Sequence, residues 1–283
     1  MSTQRGPKID EQITVVKIGG QLLDDAASLS AIVAAITHVS ARTKLIVVHG
    51  GGAATTVLLS KLGIEAPKLN GLRATSDEAI GPVVGALAGT ANKSFTAALQ
   101  AAGCNAVGLC LGDGGAVAVE RHPDATLGCV GLAAGGTGGL WCELLAAGRT
   151  PVVSSIGFSA AGELLNVNAD DAALGAALAV NATSLVLVTD TQGVLDAQGA
   201  VMPFLDADLA KRLIEAGIIH GGMVPKVNAA LQAAARLNAP VRIVRFSQLS
   251  AALAPSTAHV GTTVTTKRLR PTGSPEPTQP MPV

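Results

Sequence analysis

Ile13-Thr14-Val15-Val16-Lys17-Ile18-Gly19-Gly20 is a short, mainly β-branched run closed by two glycines. Lys44-Leu45-Ile46-Val47-Val48-His49-Gly50-Gly51-Gly52 follows the same plan, an apolar run stopped by three glycines. Runs this short and this apolar fit strands buried on both faces. Each leads into an Ala/Leu-rich helical stretch, the first from about Ala27 to Ser40, the second through Lys61. Strand, glycine turn and helix make up the unit of a parallel sheet. Such sheets bind ligands beyond the carboxyl ends of their strands.

The alternation continues outward from there. A long Ala-rich helix, Ser76 to Ala102, precedes a strand at Ala106 to Leu109. Ala116 to Glu120 and Leu127 to Leu132 fit a hairpin about His122-Pro123-Asp124. A helix at Gly139 to Ala147 leads into a strand at Pro151 to Ser155. Helices at Ala169 to Val180, Leu205 to Ala216 and Val224 to Leu237 alternate with strands at Ser184 to Thr189 and Val241 to Arg245. The expected fold is α/β, a three-layer αβα sandwich around a central, mainly parallel sheet. Residues 1–12 read as a short polar extension, 13–270 as the folded domain, and 271–283 as a Pro-rich disordered tail.

Composition removes several classes of function. The 20 basic and 20 acidic side chains cancel, and aromatics are only 2% of 283 residues, so the basic excess and stacking rings of a nucleic-acid binder are missing. Hydrophobic residues at 48% with charged ones at 14% oppose disorder. Cys104, Cys110, Cys129 and Cys142 form no C-x-x-C pair, and scattered thiols of this kind suit reduced core positions in a cytoplasmic protein. The uncharged run Ala172 to Thr189 nears membrane-spanning length. Its change from Ala-rich to Val/Leu-rich marks a helix feeding a buried strand, so no membrane association is expected.

The chemistry lies at the strand ends. Glycines there let a backbone approach a ligand closely, and successive N–H groups at a helix start cradle an anion. Lys17, a cation at the end of an apolar strand, needs a partner, and a phosphate supplies one. The common nucleotide signatures fail. Lys93-Ser94 follows Asn92 and is no P-loop, and no G-x-G-x-x-G opens a helix after the first strand. A lipase-like reading of His49-Gly50-Gly51-Gly52 fails because G-x-S-x-G is nowhere in the chain. Asn70-Gly71-Leu72-Arg73 sets an arginine after a turn, where its fork could grip a carboxylate. Asn166-Val167-Asn168-Ala169-Asp170 places two amides and a carboxylate at a helix start, where Asn168 or Asp170 could equally be a cap. Asp190-Thr191-Gln192-Gly193-Val194-Leu195 follows a buried strand. Lys226 stands in a first helical turn, against the helix dipole unless an anion lies between them.

Taken in order, K-I-G-G, H-G-G-G, N-G-L-R, N-V-N-A-D, T-D-x-x-G-V-L and G-G-M-x-x-K resemble the amino acid kinase family over roughly Thr14 to Lys267. N-G-L-R, N-V-N-A-D and the Ala86 to Lys93 stretch are most similar to its branch acting on N-acetyl-L-glutamate.

The resemblance implies ATP with Mg²⁺ as phosphoryl donor and the side-chain carboxylate of N-acetyl-L-glutamate as acceptor, a step of arginine biosynthesis. It implies that Lys17 and Lys226 flank the transferring group, with Asp170 between them as organiser. Gly19, Gly20 and Gly50 would hold phosphate, while Gly51, Gly52, Arg73 and Asn166 would hold the acceptor. Asp190, Thr191, Gln192, Gly193, Val194 and Leu195, with Ile218, Ile219 and His220, would line the nucleotide pocket. The N-terminal half would bind the acceptor and the C-terminal half ATP. No dedicated metal ligand is expected, Mg²⁺ arriving with ATP.

A homodimer insensitive to arginine is expected, because only about a dozen polar residues precede the first strand and Arg5-Gly6-Pro7 discourages the extra helix of arginine-inhibited relatives. The Ser76 to Ala102 helix would supply the dimer surface. The alternatives are a kinase of the same fold acting on aspartate, glutamate or an aminoadipate-type carrier, and a ligand sensor without turnover. Arg73 favours an acceptor with a free α-carboxylate over carbamate or UMP.

Overall fold

The structure is a computed structural model and describes residues 12–69, 71–254 and 259–266. The extension before Gln12, Asn70 of the Asn-Gly turn and the Pro-rich tail lie outside the described residues.

β1 (Ile13–Ile18) passes through Gly19 into the short α1 (Gly20–Asp24). α2 (Ala26–Ser40) starts where the Asp25 carboxylate accepts the Ser28 N–H at 2.8 Å, filling a first-turn donor that no helix carbonyl can reach. β2 (Lys44–His49) opens through its glycines into α3 (Gly52–Lys61). β3 (Lys68–Leu69) and β4 (Leu72–Arg73) pair as a small hairpin, with Lys68 opposite Arg73. Ser76 then caps a long helix made of α4 (Asp77–Val84), a π-helical segment Gly85–Ala91 and α5 (Asn92–Ala101).

β5 (Ala106–Cys110) is followed by the expected antiparallel hairpin, β6 (Ala118–Arg121) and β7 (Val130–Gly135). α6 (Gly139–Ala146) leads into β8 (Thr150–Ser154). Two short strands with no local sequence signal come next, β9 (Ile156–Phe158) and β10 (Leu164–Val167). The second half runs α7 (Ala169–Ala179), β11 (Ser184–Thr189), β12 (Phe204–Leu205), α8 (Ala207–Glu215), α9 (Met223–Leu237), β13 (Val241–Arg245), α10 (Leu249–Leu253) and β14 (Thr262–Val264). Leu205, expected to open a helix, ends β12 instead. α8 begins one residue after Asp206, whose carboxylate accepts the Leu209 N–H at 2.8 Å.

The main sheet has the order β12-β14-β13-β11-β1-β2-β8-β5. From β13 to β5 every neighbouring pair is parallel, and only β14 runs antiparallel against β13. Both faces are buried, as the expected three layers require. Val15, Ile46 and Val48 pack into one apolar cluster with α7 and α9, while Val16, Ile18, Leu45 and Val47 pack into another with α2 and α5. Alternate residues of one strand thus serve opposite cores. A second sheet, β6-β7-β10-β9, stands beside the carboxyl ends of the main strands. Among the described residues no helix is long and apolar enough to cross a membrane.

Candidate active site

The carboxyl ends of β1, β2 and β11 face the starts of α1, α3, α7 and α9, and two cavities share that space. The first, about 220 Å³, is lined by Gly50, Gly51, Arg73, Asn166 and Asp170 among others. The second, about 560 Å³, reaches Gly19, Val188, Thr189, Asp190 and Lys226. Lys17, Gly20, Gly52 and Lys68 line both. The two chambers therefore meet at two glycine turns and two cations.

Gly20, Gly51 and Gly52 are packed so tightly that none of them has room for a side chain. A Cβ on Gly20 would lie 2.1 Å from the Gly52 nitrogen, and one on Gly51 would lie 2.3 Å from the Leu87 side chain. Gly52 also has φ +50, a backbone that L side chains rarely adopt. At the start of α3, the Asp24 carboxylate accepts the Ala53 N–H at 3.1 Å from outside the cavities.

Lys17 Nζ lies 2.9 Å from Asp170 Oδ1, with the lysine side chain 16% exposed. Asp170 is fixed in the first turn of α7 by Asn168, whose side-chain oxygen accepts the Asp170 N–H at 2.8 Å; Asn168 is the helix cap. Lys226 is organised differently from the expectation that Asp170 bridges both lysines. Its Nζ donates to Thr189 Oγ1 at 2.7 Å and lies 3.6 Å from Asp190 Oδ1. The cause is topological: α9 delivers Lys226 over the end of β11, whereas α7 delivers Asp170 over the end of β1. The Thr189 hydroxyl donates to Asp190 at 2.8 Å and, with a smaller contribution from Lys226, holds that carboxyl below its ordinary range.

Arg73 closes the other end of the first cavity. Its guanidinium donates to Thr56 Oγ1 at 2.6 Å, and burial lowers its pKa. It pairs with no carboxylate among the described residues. Its carbonyl accepts the Thr75 hydroxyl at 2.8 Å, and that hydroxyl accepts Asn166 Nδ2 at 3.1 Å. Arg73, Thr75 and Asn166 therefore form one hydrogen-bonded line across the cavity wall.

Lys17, Gly19, Gly20, Gly50, Gly51, Gly52, Arg73, Asn166, Asp170, Asp190 and Lys226 all stand around these cavities. Thr191, Gln192, Gly193, Val194, Leu195, Ile218, Ile219 and His220, expected around a nucleotide, line neither. Val194 and Ile219 are core residues, and Val194 N–H donates to Thr262 Oγ1 at 2.8 Å, which turns this loop toward β14. Lys68, Thr55, Leu87 and Ser155 line the first cavity without having been singled out from sequence. Lys68 had a readable signal, since Asn-Gly between apolar residues marks a two-residue hairpin and so places Lys68 opposite Arg73. Among the described residues no three His, Cys, Asp or Glu side chains cluster as a metal cage. The site offers phosphate oxygens ammonium groups and main-chain N–H groups.

A parallel sheet whose strand ends carry two lysines and two abutting glycine turns defines a class: the chain belongs to the amino acid kinase family, whose model matches residues 12–245. Within it, the chain is 44% identical over 234 residues to an acetylglutamate kinase of Pectobacterium carotovorum, covering 82% of this chain and 90% of that one. It is 46% identical over 231 residues to an acetylglutamate kinase of Edwardsiella ictaluri, covering 81% and 89%. A solved structure from Streptococcus mutans superposes with a TM-score of 0.72 at 29% identity, covering 90% of this chain and 99% of that one.

Proposed function

We propose that this chain transfers the γ-phosphoryl group of ATP to the side-chain carboxylate of N-acetyl-L-glutamate, giving the acyl phosphate used in arginine biosynthesis. Family membership supports ATP as donor, and the names of relatives 44% to 46% identical support the acceptor. The observation that carries the reading is the junction of two cavities at Lys17, Gly20, Gly52 and Lys68. The acceptor takes the smaller cavity, its α-carboxylate on Arg73 and its acetamido group near Asn166. ATP takes the larger one, its γ-phosphate at the junction and Mg²⁺ on its phosphates. The chain acts as a cytoplasmic homodimer through its long helix.

The acceptor carboxylate is ionised at neutral pH, so transfer needs no general base. The obstacle is repulsion between a carboxylate and a triphosphate. Catalysis therefore reduces to alignment and positive charge. Lys17 meets the charge building on the transferring group from the β1 side, and Lys226 meets it from the ADP side. The N–H groups of the glycine turns supply further fixed dipoles. Asp170 holds Lys17 in place, and Asp190 with Thr189 holds Lys226.

The test is hydroxylamine trapping of acyl phosphate with Mg-ATP and N-acetyl-L-glutamate, L-glutamate, L-aspartate or an N-acylated L-2-aminoadipate. Hydroxamate from N-acetyl-L-glutamate alone is expected. Product from another acceptor would move the specificity, and product from none would remove the enzymatic reading.

A further inference from the structure

His49 and Asn92 lie outside both cavities, yet both are fully buried and hydrogen-bonded to each other across 43 residues of sequence. His49 ends β2 immediately before the three glycines, and Asn92 is the first residue of α5, where the π-helical segment ends. Nothing in the phosphoryl transfer described above uses either residue. Burying two polar side chains is costly unless each is satisfied, and here each is.

Their bonds fix the state of the imidazole. Nδ1 lies 3.3 Å from the Gly50 carbonyl oxygen, and a carbonyl can only accept, so Nδ1 carries the proton. Nε2 of the neutral ring is then an acceptor, and Asn92 Nδ2 donates to it at 3.0 Å. The same amide donates to Val152 O at 2.9 Å, and Asn92 Oδ1 accepts from Lys93 Nζ at 3.3 Å, so the amide cannot turn over without losing both. The ring meets Phe95 edge-on, with centroids 6.1 Å apart. Burial lowers its pKa to about 4 and keeps it neutral at physiological pH.

The consequence falls on the next peptide. In a trans peptide the carbonyl and the following N–H point in opposite directions, so the bond that holds Gly50 C=O also sets the direction of Gly51 N–H. Glycine on both sides of that peptide gives it no Cβ to resist rotation. Gly50 and Gly51 line the smaller cavity and not the larger one. We infer that His49 and Asn92 are positioning residues: Asn92 holds the Nδ1–H tautomer of His49, and His49 locks the Gly50-Gly51 peptide so that Gly51 N–H faces the reacting carboxylate and phosphoryl group. This inference rests on the proposed phosphoryl transfer for its catalytic part only.

Two neutral replacements separate positioning from packing. The Asn amide takes the place of Nδ1 and can still donate to Gly50 O, whereas the Gln amide reaches the place of Nε2 and keeps the Asn92 contact instead. His49→Asn removes more volume, so its thermal midpoint falls further than that of His49→Gln. The activities follow the opposite order. His49→Asn keeps kcat within a few-fold of wild type, and His49→Gln loses roughly 10- to 100-fold, the scale of one oriented N–H donor. KM for ATP stays unchanged in both, because the displaced peptide faces the acceptor cavity. Activities that follow the thermal midpoints instead would overturn the inference.

A second measurement does not depend on turnover. The ¹⁵N spectrum of histidine-labelled wild type, with His49 assigned by its absence from His49→Asn, is expected to show a protonated Nδ1 and a bare Nε2. A proton on Nε2 overturns the positioning role whatever the enzyme does. The expected tautomer in a protein that makes no acyl phosphate would sustain the lock and defeat only the proposed reaction.

Discussion

Gly20→Ala adds one methyl group where the two glycine turns touch. The new Cβ would lie 2.1 Å from the Gly52 nitrogen and 2.6 Å from its Cα, against an ordinary contact distance of 3.4 Å or more. The obstacle is backbone, so no rotamer relieves it, and the turns must part by more than an ångström. Overpacking of this kind costs about 1–3 kcal/mol of stability. The catalytic cost is larger in proportion, because a displacement of about 1 Å at a site that works by alignment costs on the order of 10²-fold. The assay is ADP release with both substrates saturating, on protein shown to be folded by circular dichroism. Gly19→Ala is the matched control. The nearest atom to its Cβ is Val188 O at 4.0 Å, and it keeps its N–H, so its loss stays below about tenfold. Folded Gly20→Ala with turnover no lower than that of Gly19→Ala would show that the contact between the two turns does not set the alignment of the site.

Arg73→Lys replaces a planar fork with a point charge. It should raise KM for the acceptor by roughly tenfold or more and leave KM for ATP unchanged in steady-state kinetics. Asp170→Asn leaves Lys17 without its carboxylate and should lower stability by about 1–2 kcal/mol, or roughly 2–8 °C in calorimetry. His49 makes stability depend on acidity. Its ring ionises near 6.5 when free but near 4 in the fold, so between those values the unfolded chain binds the extra proton. About 3 kcal/mol of stability is then present above pH 6.5 and lost as the pH falls to 4. Denaturant titrations of wild type and His49→Asn should therefore converge over that window, and parallel curves would contradict the assignment.

The parts of the fold legible in the sequence were those whose signal is local. β1, β2, β11 and β13 are short runs rich in Val, Ile and Leu, and β1 and β2 are closed by glycines that mark their ends in the sequence. β9 and β10 were not legible, since Ile156–Phe158 and Leu164–Val167 are short and lack alternation; they are strands because β9 pairs with β10 and β10 pairs with β7. Asn166 therefore reaches the cavity from a strand, although its motif reads as a helix start. β14 is three residues whose place depends on β12 and β13.

The site divides in the same way. Glycine turns and strand-end lysines announce themselves, because each is anomalous where it stands. Which carboxylate serves which lysine depends on how α7 and α9 cross the sheet, and no local pattern carries that information. The His49–Asn92 contact is illegible for the same reason, and so is the departure of the loop after Asp190 toward β14.

Lys17 and Lys226 are proposed to carry the phosphoryl transfer together, so turnover of Lys17→Ala and Lys226→Ala should be measured with Mg-ATP and N-acetyl-L-glutamate. Each is expected to remain folded and to lose roughly 10²–10³ in kcat, corresponding to about 3–4 kcal/mol of barrier. Near-normal turnover by either variant, with both substrates saturating, would remove that lysine from the transfer.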